Sequence, residues 1–316
     1  MAMQCKKPQY LMENSMGKLV PRKDGNPGMG VQVPCQKCTP CRVNYRIQWS
    51  TRGYLEAQQW DHNEFVTLTY DDDHIPKNHS LEHRDWQLFF KRLRQQQKRQ
   101  HENKIRFLMS GEYGGQTSRP HFHAVIFGLY LEDKEYLHTN KRGENLYTSE
   151  TLRDIWGNGN VSTGEVTFES CGYAVAYALK EIDRYNEGKT NGNLFGQGEY
   201  TVTDPTTGEI QIRKRPYTQF SKNPAIAKEW AEKNVNDWKE KGMILIPKKV
   251  MSKTSIIQAT PQGPQQIKKQ VTTTNYVEVP APKYFVETLL PKLDPIAAAN
   301  LQLKREQYMQ TDQHYE

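Results

Sequence analysis

The segment Arg119-Pro120-His121-Phe122-His123-Ala124-Val125-Ile126-Phe127-Gly128 constrains the fold more than any other stretch of the 316 residues. Residues 121–127 read as a strand, rich in aromatic and β-branched side chains. His121 and His123 stand two apart, so both imidazoles face one side of a sheet while Phe122 points to the other, into a core. From Ala124 onward the run is wholly apolar and parity says less. Residues 105–109 form an earlier strand, and Gly114-Gly115-Gln116-Thr117-Ser118 supplies the turn between the two.

The helix that belongs with such a sheet is residues 82–99. Trp86, Phe89, Phe90 and Leu93 fall at i, i+3, i+4 and i+7, while the other faces carry Arg, Lys and Gln. Phe65-Val66-Thr67-Leu68-Thr69-Tyr70 is a further strand, ended by Asp71-Asp72-Asp73. Residues 161–168 read as a fourth strand, 149–156 as a short helix and 171–185 as a longer one. Residues 42–60 are helical, with Val43, Ile47, Tyr54 and Ala57 on one stripe that Gly53 weakens. Residues 1–41 read as loop, because Pro8, Gly17, Pro21, Gly25, Pro27, Gly28, Gly30 and Pro34 break any long element.

After Tyr185 the composition changes. Residues 199–215 form a hairpin turning at Asp204-Pro205-Thr206-Thr207-Gly208, 224–241 a helix, and 252–274 a flexible or extended segment rich in Ser, Thr and Gln. The expected organisation is a Cys-rich N-terminal segment and helix over 1–60, a central domain over 61–186, and a C-terminal accessory region over 187–316. The expected fold class is α+β: an antiparallel sheet with flanking helices on one face, of the split β-α-β, RRM-like type.

Two imidazoles on one strand face make half of a metal site. If the strands before and after the glycine turn pair, Glu112 comes close to both, with Gln116 as the alternative third ligand. A carboxylate with two imidazoles suits a catalytic divalent ion that keeps positions open for water and phosphate oxygens. In Cys171-Gly172-Tyr173-Ala174-Val175-Ala176-Tyr177-Ala178-Leu179-Lys180 the tyrosines are four apart, stacked on one helical face, and Lys180 lies near that face. A lone pair of tyrosines so spaced is usually packing. One that follows a histidine strand is a candidate pair of nucleophiles, with the lysine neutralising developing charge.

The chain carries 43 Lys and Arg against 36 Asp and Glu, a net +7 that favours a polyanionic partner, nucleic acid first. No stretch approaches the apolar length of a membrane span, and the first residues lack the apolar run of a secretory signal. That places the protein in a cytoplasm, with no membrane partner. In a reducing compartment the spacing Cys35-x-x-Cys38-x-x-Cys41, together with Cys5, suggests a four-thiolate zinc site ahead of an iron–sulfur cluster or free thiols. Cys171 is read as a packing residue. Arg42, Arg46, Lys91, Arg92, Arg94 and Arg213-Lys214-Arg215 are candidate phosphate contacts, each equally well explained as part of a solvated face.

The combination of His121-Phe122-His123 with Tyr173-x-x-x-Tyr177-x-x-Lys180 resembles the HUH endonucleases, in which two histidines flank a hydrophobic residue. More narrowly, it is similar to the rolling-circle replication initiators of gokushoviruses, a group of microviruses. The resemblance is also carried by Pro34-Cys35-Gln36-Lys37-Cys38-Thr39-Pro40-Cys41-Arg42, Gly111-Glu112-Tyr113-Gly114 and Ser221-Lys222-Asn223-Pro224-Ala225-Ile226-Ala227, with a weaker echo at Pro282-Lys283-Tyr284-Phe285. It departs where such proteins carry glycines at 225 and 227, and a lysine where this chain has Glu181. The resemblance implies that one tyrosine attacks a DNA phosphate and joins the 5′ phosphate, leaving a 3′ hydroxyl for a host polymerase. The second tyrosine then attacks the regenerated junction and the circle closes. Mg²⁺ or Mn²⁺ is the expected catalytic ion, single-stranded and origin DNA the partners, the bacterial host cytoplasm the location, and the host the source of a helicase. The competing classes are a non-enzymatic, zinc-stabilised single-strand binding protein and a metal-dependent hydrolase without a covalent intermediate.

Overall fold

Residues 1–41, expected as loop, contain three short strands: β1 (Gln9–Glu13), β2 (Leu19–Pro21) and β3 (Val31–Val33), antiparallel in the order β2-β1-β3. The prolines bracket these strands instead of interrupting them: Pro8 precedes β1, Pro21 closes β2 and Pro34 follows β3. The computed structural model describes residues 4–13, 19–21, 31–76, 79–101, 104–114, 117–140, 142–175, 201–203, 208–260 and 263–311. The chain divides into two compact units, Met1–Ala231 and Glu232–Glu316.

Helix α1 (Thr39–Ala57) starts with Pro40 in its first turn, where a missing N–H costs nothing. It leads into β4 (Asn63–Tyr70), whose residues alternate half-buried and buried along its length. Helix α2 (His83–His101) follows, then the hairpin of β5 (Arg106–Tyr113) and β6 (Pro120–Phe127). Beyond it lie β7 (Lys134–Thr139), β8 (Asn145–Ser149), α3 (Glu150–Trp156) and β9 (Gly159–Gly164). Ser149 caps α3 by accepting from the Leu152 amide, and Gly157 ends the helix in the left-handed conformation at φ 67°. Residues 168–175 are the described part of helix α4. Two short strands, β10 (Thr201–Thr203) and β11 (Ile210–Ile212), pair as the expected hairpin, and β12 (Tyr217–Phe220) closes the order.

The central sheet is antiparallel throughout, in the order β12-β5-β6-β4-β9-β8-β7, so the histidine strand lies inside it. Opposed residues in an antiparallel ladder share a face, and the register assigns two faces. One carries Val66, Leu68, Tyr70, Met109, Phe122, Ala124 and Ile126, and α2 and α3 pack on it through Trp86, Phe89, Phe90, Leu93, Leu152 and Trp156. Phe122, Phe89 and Leu93 are wholly buried there. The other face carries Thr67, Thr69, Glu112, His121 and His123. Helices therefore flank both faces instead of the one expected, because α1 and α4 cover part of the second. Arg106 of β5 pairs with Glu56 of α1 at 2.5 Å, and Trp49 of α1 lies 4.1 Å from Phe220 of β12.

Glu232–Glu316 forms its own small core. Trp238, Ile244, Ile246, Val279, Phe285, Leu289, Leu290 and Leu301 are buried in it. The expected flexible segment belongs to a two-stranded ribbon, β13 (Met243–Thr260) with β14 (Gly263–Pro280), paired residue by residue over its full length. The expected helix over 224–241 is two shorter ones, α5 (Lys228–Lys233) and α6 (Val235–Trp238). A π-helical turn (Phe285–Leu289), α7 (Leu290–Leu293) and α8 (Pro295–Thr311) complete the unit.

Candidate active and metal-binding sites

The β5–β6 register sets Glu112 opposite His121 and Ser110 opposite His123. On the other side, β4 sets Thr67 opposite His123 and Thr69 opposite His121. The three candidate ligands thus meet on one face by backbone pairing alone. Glu112 Oε1 lies 2.9 Å from Nε2 of His121 and 2.9 Å from Nε2 of His123. Glu112 is 1 % exposed and His123 6 %. Burial pushes the Glu112 carboxyl up, but the two imidazoles outweigh it and hold the group below its ordinary range. Burial dominates at His123 and lowers its pKa, against the pull of Glu112.

The far ring nitrogens fix how the imidazoles point. His121 Nδ1 lies 3.0 Å from the Arg119 carbonyl oxygen, which only accepts, so Nδ1 donates and Nε2 presents its lone pair. His123 Nδ1 lies 2.9 Å from Thr67 Oγ1. Arg119 itself is tied down, donating to the Tyr70 carbonyl at 2.8 Å and pairing with Asp72. The site fits a divalent ion: one donor atom from each of Glu112, His121 and His123 lies within 4.8 Å of the others, and the buried Oε2 of Glu112 has no hydrogen-bond partner among the described residues. Gln116, the alternative ligand, falls outside the described residues.

Tyr173 arrives from α4. Its ring centroid lies 5.0 Å from that of His123 and 6.0 Å from that of Phe65, which itself stacks on His123 at 5.7 Å. Two glycines bring α4 this close. A Cβ on Gly53 of α1 would meet Cys171 Sγ at 2.9 Å, and one on Gly172 would collide with Ser50 Oγ. Gly53, which weakened the helix reading of 42–60, is therefore the contact point of α1 with α4, and Cys171 is the wholly buried packing residue it was expected to be. Tyr177 and Lys180 lie outside the described residues. A cation near the tyrosine comes from another element: Arg142 Cζ, in the β7–β8 turn, sits 5.5 Å from the Tyr173 ring centroid.

The second cluster draws Cys5, Cys35, Cys38 and Cys41 together. Their sulfurs all lie within 4.8 Å of one another, with Cys38 3.4 Å from Cys41 and 3.8 Å from Cys5. Backbone amides donate to these sulfurs, Cys35 N to Cys5 Sγ at 3.2 Å and Cys38 N to Cys35 Sγ at 3.3 Å. Desolvation opposes ionisation of Cys38, yet the amides of Cys41 and Lys6 bring it down to about 6. Burial and the neighbouring thiols push Cys41 up to about 12. Four convergent sulfurs, one of them already biased to thiolate, are a donor set for a tetrahedral metal ion.

The structure supplies contributors that the sequence reading left out: Thr67, Phe65, the Arg119 carbonyl and Arg142. Once β4 is placed beside β6, the register alone puts Thr67 opposite His123. Nothing local in the sequence signals Arg142. One candidate phosphate contact is otherwise engaged: Arg213 is 5 % exposed and its guanidinium lies 5.6 Å over the Tyr113 ring.

Residues 63–182 match a family model for replication-associated proteins of the ORF2 type. The chain is 33% identical over 251 residues to "Replication-associated protein VP4" of Bdellovibrio phage phiMH2K, covering 78% of this chain and 72% of that protein. It is 36% identical over 155 residues to "Replication-associated protein ORF2" of Spiroplasma virus 4, covering 48% of each chain. To "Replication-associated protein ORF4" of Chlamydia phage 1 it is 32% identical over 154 residues, covering 48% of this chain and 38% of that one. No solved structure matches the chain.

Proposed function

Because the chain belongs to the replication-associated proteins of gokushovirus-type phages, a family of rolling-circle initiators, we propose that it nicks single-stranded or origin DNA and rejoins it through a tyrosine-linked intermediate. The observation that carries this reading is the Tyr173 ring packed against His123, one member of a buried Glu–His–His cluster. Glu112, His121 and His123 would hold Mg²⁺ or Mn²⁺, which when bound polarises the scissile phosphate.

The Tyr173 oxygen attacks phosphorus, a tyrosyl O–P bond forms and the P–O3′ bond breaks. The phenolic proton leaves to solvent, and the departing 3′ oxygen takes one up to become the hydroxyl that a host polymerase extends. Arg142 lies where it can offset charge developing on the tyrosine and the phosphate. Phe65 and His123 wall the ring on the protein side and limit its motion. In this reading Tyr177, one helical turn beyond Tyr173, makes the second attack at the regenerated junction, and Lys180 assists it. The four cysteines hold zinc and fix the start of α1, the helix against which α4 packs. A host helicase opens the duplex, and the reaction takes place in the host cytoplasm. No described helix is long and apolar enough to cross a membrane.

The test is denaturing electrophoresis of the protein with circular phage single-stranded DNA and Mn²⁺. A nick with a protein–DNA adduct is expected, absent from His121→Ala and from the Tyr173→Phe/Tyr177→Phe double variant. Binding without nick or adduct, in a folded protein on cognate DNA, would replace the enzyme with a single-strand binding protein. A nick without adduct would replace it with a hydrolase.

A further inference from the structure

Helix α2 carries the most one-sided charge on the molecule. Its 19 residues hold six cations, Arg84, Lys91, Arg92, Arg94, Lys98 and Arg99, against the single carboxylate of Asp85, a net +5 beside +7 for the whole chain. Asp85 is already engaged, accepting from the Tyr70 hydroxyl at 2.8 Å. Between 86 and 101 there is no Asp or Glu.

The charges are also sorted in space. Trp86, Phe89, Phe90 and Leu93 are buried against the sheet. At about 100° per residue, Arg84, Lys91, Arg94 and Lys98 fall within roughly 80° of arc on the opposite side, with Arg99 extending it. All five are exposed and none makes an ion pair among the described residues, whereas Arg92 donates to the Trp156 carbonyl at 3.0 Å and anchors the helix. Arg94 lies flat over the Phe90 ring at 4.4 Å.

An ordinary solvated helix alternates signs at i and i+4, because like charges at that spacing repel. Here Arg94 and Lys98 are a like pair at i, i+4, Lys91 and Arg94 a like pair at i, i+3, and the intervening partners are Gln87 and Gln95. The helix keeps that repulsion on a strip whose outermost charges, Arg84 and Lys98, are about 21 Å apart along the axis. A polyanion laid along it would relieve the repulsion.

This strip lies on the opposite side of the sheet from Glu112, His121 and His123. We propose that the outer face of α2 is a second DNA-binding surface, gripping the phosphodiester backbone of DNA at a distance from the nicking site and without regard to base sequence. It rests on the initiator reading for the choice of DNA as the polyanion. It does not require the tyrosine chemistry. Its role is to keep the long circular substrate on the protein while the other face acts on one phosphate.

The experiment uses the full chain and fluorescent DNA lacking the origin, as single strand and as duplex of equal length, with anisotropy followed against salt. The variant is Lys91→Gln/Arg94→Gln/Lys98→Gln, since glutamine keeps helix propensity at exposed positions. The slope of log affinity on log salt is expected to fall by about 2 on single strand or about 3 on duplex, and affinity in dilute salt by at least about tenfold. The larger loss identifies which form the strip holds. Nicking of a short oligonucleotide that spans only the cleavage site stays at the wild-type rate.

Lys241→Gln/Lys292→Gln/Lys304→Gln removes the same charge from Glu232–Glu316 and leaves the binding slope in place. Unchanged affinity and slope in the α2 variant would overturn the proposal, and so would an equal loss in the control, which would mean that net charge alone acts. Failure of wild-type protein to nick, with the α2-dependent slope still present, would strike down the nickase reading and leave this surface supported.

Discussion

The two clusters that can hold metal are built in opposite ways. Glu112, His121 and His123 sit on neighbouring strands inside a sheet, their mutual distances set by ladder register over a wholly buried layer that includes Phe122. Cys5, Cys35, Cys38 and Cys41 come from a short N-terminal stretch, a turn and the first residues of α1, and Cys41 is the buried one among them. The first cluster has a buried carboxylate oxygen to spare and a tyrosine beside it, as a catalytic site needs. The second fills its space with sulfur and amide donors, as a closed structural site does. The lesson is that the sheet needs no ion to be formed, whereas the cysteine segment depends on one.

That contrast can be broken by substitution. The largest effect is expected at His121→Ala, which should lower the nicking rate by at least about a thousandfold, on the scale of losing the catalytic metal. Thermal melting should show little change, because His121 is at the site face and the core beneath is untouched. A collapse in melting temperature would mean that the sheet is not preorganised.

Next in size is Cys38→Ser, or removal of zinc by a chelator. Amide exchange of 31–45 should become fast, a local loss of several kcal/mol. Exchange in β5 and β6 should stay slow. Equal acceleration in both regions would erase the distinction drawn between them.

Thr67→Val should weaken Mn²⁺ binding about 10–100-fold by removing the partner of His123 Nδ1, with Thr67→Ser restoring it. Calorimetry reads this without any turnover, and an unchanged affinity would show that Thr67 does not orient His123. The smallest expected effect is Arg142→Ala, which should slow adduct formation about tenfold while leaving Mn²⁺ affinity alone.

The sequence made legible what short-range periodicity can encode. The two-residue spacing of His121 and His123, the aromatic stripe of α2 and the nearness of Glu112 across a glycine turn all follow from strand and helix repeats. What it concealed depends on pairing between distant segments. β12 joins the sheet beside β5 from more than a hundred residues later, and β7 is exposed at every position, so no alternation marks it. The β13–β14 ribbon was read only as flexible or extended because its Ser, Thr and Gln residues resemble a linker until their partners are known. Thr67 and Arg142 were missed for the same reason: each matters through a neighbour 56 or more than 30 positions away.

The most direct measurement is mass spectrometric mapping of the peptide that remains linked to DNA after digestion of the Mn²⁺ reaction. The account predicts a nucleotide-modified peptide containing Tyr173 or Tyr177, modified at Tyr177 alone in Tyr173→Phe and absent in His121→Ala. A linkage to any other residue, or cleaved DNA with every tyrosine peptide unmodified, would contradict it.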